Sequence, residues 1–359
     1  MTWSIARRLA ALLAAGATVA LSAPAPAQQN PIVPMLLCPF GCGNTEGYAV
    51  LGNLVARGGD PITLAPQETP GYMYNIRAMT EERRWKNTVF GTEDTIILLG
   101  SQGGRPEIKD FLPEPINLPF KLLFGEAFWG QGKYFVSYDP NLKTPADLKG
   151  KRIALGLRTQ SDFGFFARLI LEYGYGVTPQ NSDIRHVTPD TAIQQLIDGA
   201  ADAAVAAFGT NPSYTEWNVG GPLRKLEAAS RKINYIGVDQ AAIDKVNQRW
   251  NTGFLTAAIP AGTLPLQEKP FLSALNRGYM AAHPSLPEEA AYQLVKAVAK
   301  HGQEMAKLNA LWKLWSPEMM LHGLSEENVH PGAKRAYVEL GWWDRHKQYP
   351  PVVFAATTR

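Results

Sequence analysis

Strand-like and helix-like segments alternate along this chain, and the first such pair already narrows the folds open to it. Ile32 to Leu37 is a short apolar run that reads as a strand, and Tyr48, Leu51, Leu54 and Val55 fall on one face of a following helix. Between them lies the glycine-punctuated turn Cys38-Pro39-Phe40-Gly41-Cys42-Gly43-Asn44-Thr45-Glu46-Gly47. A strand, a tight turn and a helix bring backbone N–H groups and the positive end of a helix dipole to one point, which suits an anion without any metal or cofactor.

The pattern recurs. Ile62-Thr63-Leu64 leads through Gln67–Gly71 into a helical stretch over 72–79, and Thr95 to Leu99 is strongly β-prone. Tyr134 to Tyr138 reads as a strand, Ile153-Ala154-Leu155 as the next, and Ala203 to Phe208 as a buried one. Phe163, Phe166, Leu169, Ile170 and Tyr173 make a helical stripe, and Ile193, Leu196 and Ile197 make another, with Asp190 in the N-cap position. Ser285-Leu286-Pro287-Glu288 reads as a capping box for a later helix. Alternation of this kind predicts an α/β fold.

Arg7 and Arg8, the apolar stretch Leu9 to Leu21 and Ala25-Pro26-Ala27 form the three parts of a secretory signal peptide over 1–27, so the expected location is the periplasm. No other stretch approaches the roughly 20 apolar residues of a membrane span, and no stable membrane insertion of the mature chain is expected. The chain carries net +3, of which the leader's Arg7 and Arg8 supply two; so nearly neutral a mature chain lacks the footprint for nucleic acid. The only cysteines are Cys38 and Cys42. In an oxidising compartment they are expected to pair, because two thiolates without nearby histidines supply only half a zinc site.

No constellation for catalysis stands out. Leu99-Gly100-Ser101-Gln102-Gly103 lacks the first glycine of a nucleophile elbow, the six histidines have no ligand spacing, and no nucleotide-binding loop is present. The expectation is therefore a protein that is not an enzyme and uses no metal or cofactor. An exported α/β hydrolytic enzyme is the alternative of another class. Small polar residues cluster instead at five turns: Asn44 and Thr45; Thr69 and Gly71; Thr92, in Gly91-Thr92-Glu93-Asp94; Arg158, Thr159 and Ser161; and Gly209, Thr210 and Asn211. In open α/β sheets ligands lie at the carboxyl ends of strands, where hydroxyls and amides can hold a carboxylate. Arg158 is expected to add a bidentate fork. Tyr48 and Trp129 are candidates to wall the ligand, whereas Trp312, Trp315, Trp342 and Trp343 are expected in the core.

Several longer segments carry a family resemblance. Gly43-Asn44-Thr45-Glu46-Gly47-Tyr48, Thr69-Pro70-Gly71-Tyr72-Met73-Tyr74-Asn75-Ile76, Leu142 through Ile153, Asp198-Gly199-Ala200-Ala201-Asp202-Ala203, Ile259-Pro260-Ala261-Gly262-Thr263-Leu264-Pro265 and His330-Pro331-Gly332-Ala333 with Tyr337 and Gly341 are involved. Together they resemble the TAXI-type solute-binding proteins of tripartite ATP-independent periplasmic (TRAP) transporters. The chain departs from that pattern at Arg158-Thr159-Gln160-Ser161-Asp162 and in its two cysteines. The resemblance implies a two-lobed periplasmic binding protein, type II-like, with hinge strands and a central cleft. Lobe 1 would comprise 28–133 and 255–359, and lobe 2 residues 134–254. The implied ligand is a small organic acid, and the implied partner a TRAP membrane permease. An ABC-type receptor for a sulfonate- or thiamine-precursor-like ligand is the alternative within binding proteins.

Overall fold

The alternating pattern becomes a mixed α/β fold built on one long, curled sheet. The computed structural model describes residues 30–39 and 43–354, with only the backbone at 127–129 and 131. The signal peptide, Cys42 and the Trp129 side chain lie outside the described residues. The first elements follow the expected strand–turn–helix order: β1 (Ile32–Leu36), α1 (Asn44–Arg57), β2 (Thr63–Gln67), α2 (Tyr72–Ala78), β3 (Val89–Glu93) and α3 (Asp94–Gly100). The long strand β4 (Lys121–Ser137) follows, then β5 (Arg152–Leu155), a helix α4 over 161–174 that is π-wound at both ends, β6 (Asp183–His186), α5 (Pro189–Ile197) and β7 (Ala203–Thr210). Next come β8 (Trp217–Val219), α6 (Gly221–Ala228), β9 (Asn234–Ile236), α7 (Gln240–Trp250), β10 (Leu255–Ile259) and the second long strand, β11 (Phe271–Ala282). Helices α8 (Glu288–Leu308), α9 (Pro317–Leu321) and α10 (Pro331–Glu339) follow, with a last 3-10 helix at Trp343–Gln348.

The sheet runs β2-β1-β3-β11-β4-β7-β5-β6, with β10 on β11, β8 on β7 and β9 on β4. β1 is parallel to β2 and β3, and β5 is parallel to β6 and β7, while β11 and β4 run antiparallel to their neighbours. The two long strands join the halves. β4 pairs with β11 from Lys121 to Lys133 and with β7 from Gly130 to Ser137. The β4–β11 register shifts between Arg277 and Tyr279.

Period-two alternation sends successive side chains to opposite faces of the second half. Tyr134, Val136, Ala154, Ala204, Ala206 and Phe208 enter one apolar cluster. Phe135, Ile153, Leu155, Ala203 and Val205 enter another on the opposite face. Both faces are covered by helices, which is why these strands read as nearly continuous apolar runs. A larger cluster unites β1–β3 with α1, α8 and the C-terminal helices, and Trp312, Trp315 and Trp343 are buried in it, with Trp342 packed against it.

Four local expectations are corrected. Residues 95–99 are helical, within α3, not a strand. Their β-branched run is outweighed by Asp94, whose Oδ1 accepts from the Thr95 N–H at 2.8 Å and from the Arg277 N–H at 3.1 Å, fixing a helix start directly after β3. Gly91 to Glu93 accordingly lie in a strand that passes straight into that helix, not in a turn. The N-cap of α5 is Thr188, which accepts from the Thr191 N–H at 3.3 Å; Pro189 takes the first helical position and pushes Asp190 inside. The box at 285–288 is not made, because Pro287 precedes α8 and the Ser285 N–H donates to His283 Nδ1 at 3.1 Å.

Candidate functional site

A cavity of about 410 Å³ opens where the two halves of the sheet face each other. From the first half its wall takes Cys38, Asn44, Gly71, Tyr72 and Glu93; from the second it takes Gln160 to Phe163, Pro189, Ala207 to Gly209 and Asn218 to Pro222. Ala310 and Leu311 close it from the chain after α8. Much of the lining is apolar, and the amino ends of α1, α4, α5 and α6 all reach it. Aligned peptide dipoles place partial positive charge at such ends. Gly71 allows one of the closest approaches: at φ 128° a Cβ there would lie 2.6 Å from the Thr159 carbonyl oxygen. Gly132 of β4 leaves its backbone bare so that the Phe208 ring rests on it; a Cβ would stand 2.0 Å from that ring.

The sequence-predicted residues divide into three groups. Asn44, Gly71, Ser161 and Gly209 line the cavity, as does Cys38. A second group is buried behind the wall and holds its shape. The Thr45 hydroxyl donates to the Cys38 carbonyl at 2.6 Å and accepts from the Cys38 N–H at 3.3 Å. The Thr69 hydroxyl lies 2.7 Å from both the Leu37 carbonyl and Asn75 Oδ1, and accepts from the Gly71 N–H at 3.2 Å. Thr210 donates to the Glu216 carbonyl at 2.9 Å, Thr92 sits in the β3–β11 ladder opposite Tyr279, and Tyr48 stands edge-on to Trp312. A third group faces elsewhere. Asn211 ties its own turn, accepting from the Thr215 N–H at 2.9 Å, and Thr159 contributes its carbonyl to the contact with Gly71. Arg158 is exposed, with its guanidinium 5.8 Å from the centroid of Phe111. Arg158→Ala is accordingly expected to change affinity for an acidic ligand by less than about 0.5 kcal/mol, not by the roughly 1.5–3 kcal/mol of a charged hydrogen bond; calorimetry distinguishes the two.

Behind and beside the cavity lies a buried set of charged groups that the turn-based reading missed. Lys133, 2% exposed, pairs with Asp162 at 2.6 Å and donates to Asn276 Oδ1. The Glu93 Oε1 accepts from the Ser161 hydroxyl at 2.7 Å, a bond between the two halves. Glu126 accepts from Asn44 Nδ2 at 2.9 Å, and the Tyr72 hydroxyl lies 3.1 and 3.0 Å from its two oxygens. Asn44 Nδ2 also donates to the Tyr72 hydroxyl. One layer deeper, Arg277 Nε donates to Asp94 Oδ2 at 2.6 Å. Glu126 and Lys133 carried a signal: they are charges inside a strand whose neighbours are apolar.

Burial sets the protonation of these acids. It pushes Glu126 up to about 8, against the lowering effect of its Asn44 and Tyr72 hydrogen bonds. It also raises Glu93 well above the ordinary carboxyl range, helped by the charge of Asp162, and it raises Asp162 despite Lys133. For Glu126 the folded value exceeds the unfolded one, so the native state binds the proton more tightly. The stability this gives is fully present below about pH 4.5 and is lost as the pH climbs to about 8. Glu126→Gln is expected to remove that fall, amounting to up to roughly 4 kcal/mol, and to leave the variant more stable than wild type at pH 9. Urea denaturation at pH 5, 7 and 9 measures it; equal slopes in the two proteins would place the Glu126 proton elsewhere.

Among the described residues no group of three or more His, Cys, Asp or Glu is arranged to hold a metal ion, and no helix is long and apolar enough to cross a membrane. A family model described as the NMT1-like family matches residues 130–341. Solved structures are similar to this chain at low identity. MatC from Rhodopseudomonas palustris with bound malate is 13% identical, covers 88% of this chain and 99% of its own, and has a TM-score of 0.47. A second R. palustris protein, with adipate, is 11% identical over 89% and 94%, with a TM-score of 0.45. The alkanesulfonate-binding protein SsuA from Xanthomonas axonopodis pv. citri, bound to MOPS, is 12% identical over 92% and 98%, with a TM-score of 0.40.

Proposed function

We propose that this chain, which belongs to the NMT1-like family, is a periplasmic solute-binding protein that captures a small organic acid in the cleft between two lobes. The observation that carries the reading is the meeting of several helix amino ends from both halves of the sheet at one cavity of about 410 Å³. Lobe 1 is assigned to 28–133 and 255–359 and lobe 2 to 134–254, with β4 and β11 as the hinge strands. The Ser161–Glu93 bond and the Gly71–Thr159 contact both cross between these lobes. A ligand adding contacts to both sides favours the closed arrangement by its differential affinity. Binding would be its whole task, without turnover.

The partner proposed is a TRAP-type membrane permease, on the TAXI-like segments Leu142–Ile153, Asp198–Ala203, Ile259–Pro265 and His330–Gly341, which fall within the matched region. The Cys38–Cys42 bridge belongs to the same proposal; no free cysteine occurs among the described residues. The test is a thermal-shift screen of the mature protein against dicarboxylates, keto acids, amino acids and aromatic acids, followed by calorimetry. A true ligand at a hundred times its Kd raises apparent stability by about 2.7 kcal/mol. No shift with any acid, or turnover of one, would retire the reading.

A further inference from the structure

We infer that the cleft selects acids of single charge with an apolar body: Arg224 meets the one carboxylate, and the rest of the solute lies on a wall that includes Phe163, Pro189, Ala207, Val219 and Leu311. This rests on the organic-acid reading above and deepens it, because it names the class of acid and sets dicarboxylates of the same length aside.

Among the described residues, Arg224 is the only lysine or arginine that lines the cavity. It belongs to α6, is exposed, and donates from Nε to the Val219 carbonyl at 3.4 Å, with no carboxylate partner among the described residues. The cations nearby are committed elsewhere, Lys133 to Asp162 and Asn276, and Arg277 to Asp94. Other side-chain donors of the wall are spent inside the protein. Asn44 Nδ2 donates to Glu126 and Tyr72, the Ser161 hydroxyl to Glu93, and Asn218 Nδ2 to the Ala310 carbonyl. Gln160 Oε1 holds the Leu157 N–H at 3.0 Å, and the amide nitrogen beside it is a neutral donor. Two acids, Glu93 and Asp162, belong to the same wall. A first carboxylate therefore finds Arg224. A second finds acids and no cation, and a charge taken out of water without a partner is costly.

The body of the solute is decided by what else lines the cavity. Phe163 comes from α4, Pro189 from the start of α5, Ala207 from β7 and Val219 from β8. Leu311 comes from the chain after α8 and is seated on Gly43 of the first turn. Gly43 has φ 86°, and a Cβ there would stand 2.2 Å from Leu311 Cδ1. Both halves of the sheet thus contribute to holding apolar surface around the cavity. Sites of this kind draw affinity from apolar area and orientation from a few polar groups. Each CH₂ that such a wall takes out of water strengthens binding about fourfold.

Titration calorimetry at about pH 7, where these acids are all ionised, compares matched pairs on the wild-type protein. The pairs are hexanoate with adipate and phenylacetate with phenylene-1,4-diacetate, each differing by a second carboxylate at the far end. The monoacid of a pair should bind at least about tenfold more tightly than its diacid. From butyrate to hexanoate, affinity should rise about fourfold per CH₂. Arg224→Gln should weaken the better monoacid about tenfold or more, and Arg224→Lys should weaken it less; because Arg224 is exposed, circular dichroism should show both variants folded. A diacid that binds as tightly as its monoacid, an alkanoate series without a rise, or an affinity unchanged in Arg224→Gln overturns the inference. So does the failure of both monoacids to bind. If adipate or malate then binds, the organic-acid reading stands without this inference; if no acid of the wider screen binds, that reading falls as well.

Discussion

Replacing Lys133 with methionine is expected to destabilise the protein by about 3–5 kcal/mol, with little change in side-chain volume. The Lys133 ammonium is 2% exposed and lies 2.6 Å from Asp162. Removing it leaves a buried carboxylate beside Glu93 with its cation gone, and the cost is that of the stranded charge, not of one lost contact. Two consequences make the cause identifiable. Asp162 is already raised by burial, so acidification should neutralise it in the variant and shrink the loss as the pH falls. Asp162→Asn in the same chain should recover a large part of it, which a double-mutant cycle measures. Chemical denaturation followed by circular dichroism is sufficient. A loss under about 1 kcal/mol would mean that solvent reaches the pair.

Filling the cavity should abolish binding while sparing the fold. Ala207 lines it from β7, between Ala206, which points into the core behind, and Phe208. Ala207→Trp is expected to weaken ligand binding at least a hundredfold, about 2.8 kcal/mol, because an indole occupies the volume the solute needs. Thermal stability without ligand should move little, since the added ring enters open space. Titration calorimetry of the variant beside wild type tests this, and undiminished affinity would move the site away from the cavity.

How much of this was readable in advance depended on the range over which each residue acts. The strand–turn–helix units at Ile32–Arg57 and Thr63–Ala78 follow from local periodicity, and they appear as expected. Thr95 to Leu99 misled because β-branching is a weak preference, whereas Asp94 and the distant Arg277 fix a helix start. The turns that line the cavity were found through glycine and small polar residues, but several of their hydroxyls are spent on wall carbonyls. The acid-and-ammonium cluster was missed because its members, at 93, 126, 133, 162 and 276, are scattered along the chain and no short motif joins them. Only Glu126 and Lys133 within β4 hinted at it, since a lone charge in an apolar strand needs a partner.

The sheet's strand order also governs when the protein can assemble. β3 lies between β1 and β11, pairing Glu93 with Gly278 and Val89 with Ala282. Its second neighbour is therefore translated long after it. Until then the early strands keep an unpaired edge, and long-range pairing of this kind is slow to form. Such a polypeptide stays pliant through most of its synthesis and locks only when a late segment threads into the middle of what was made first.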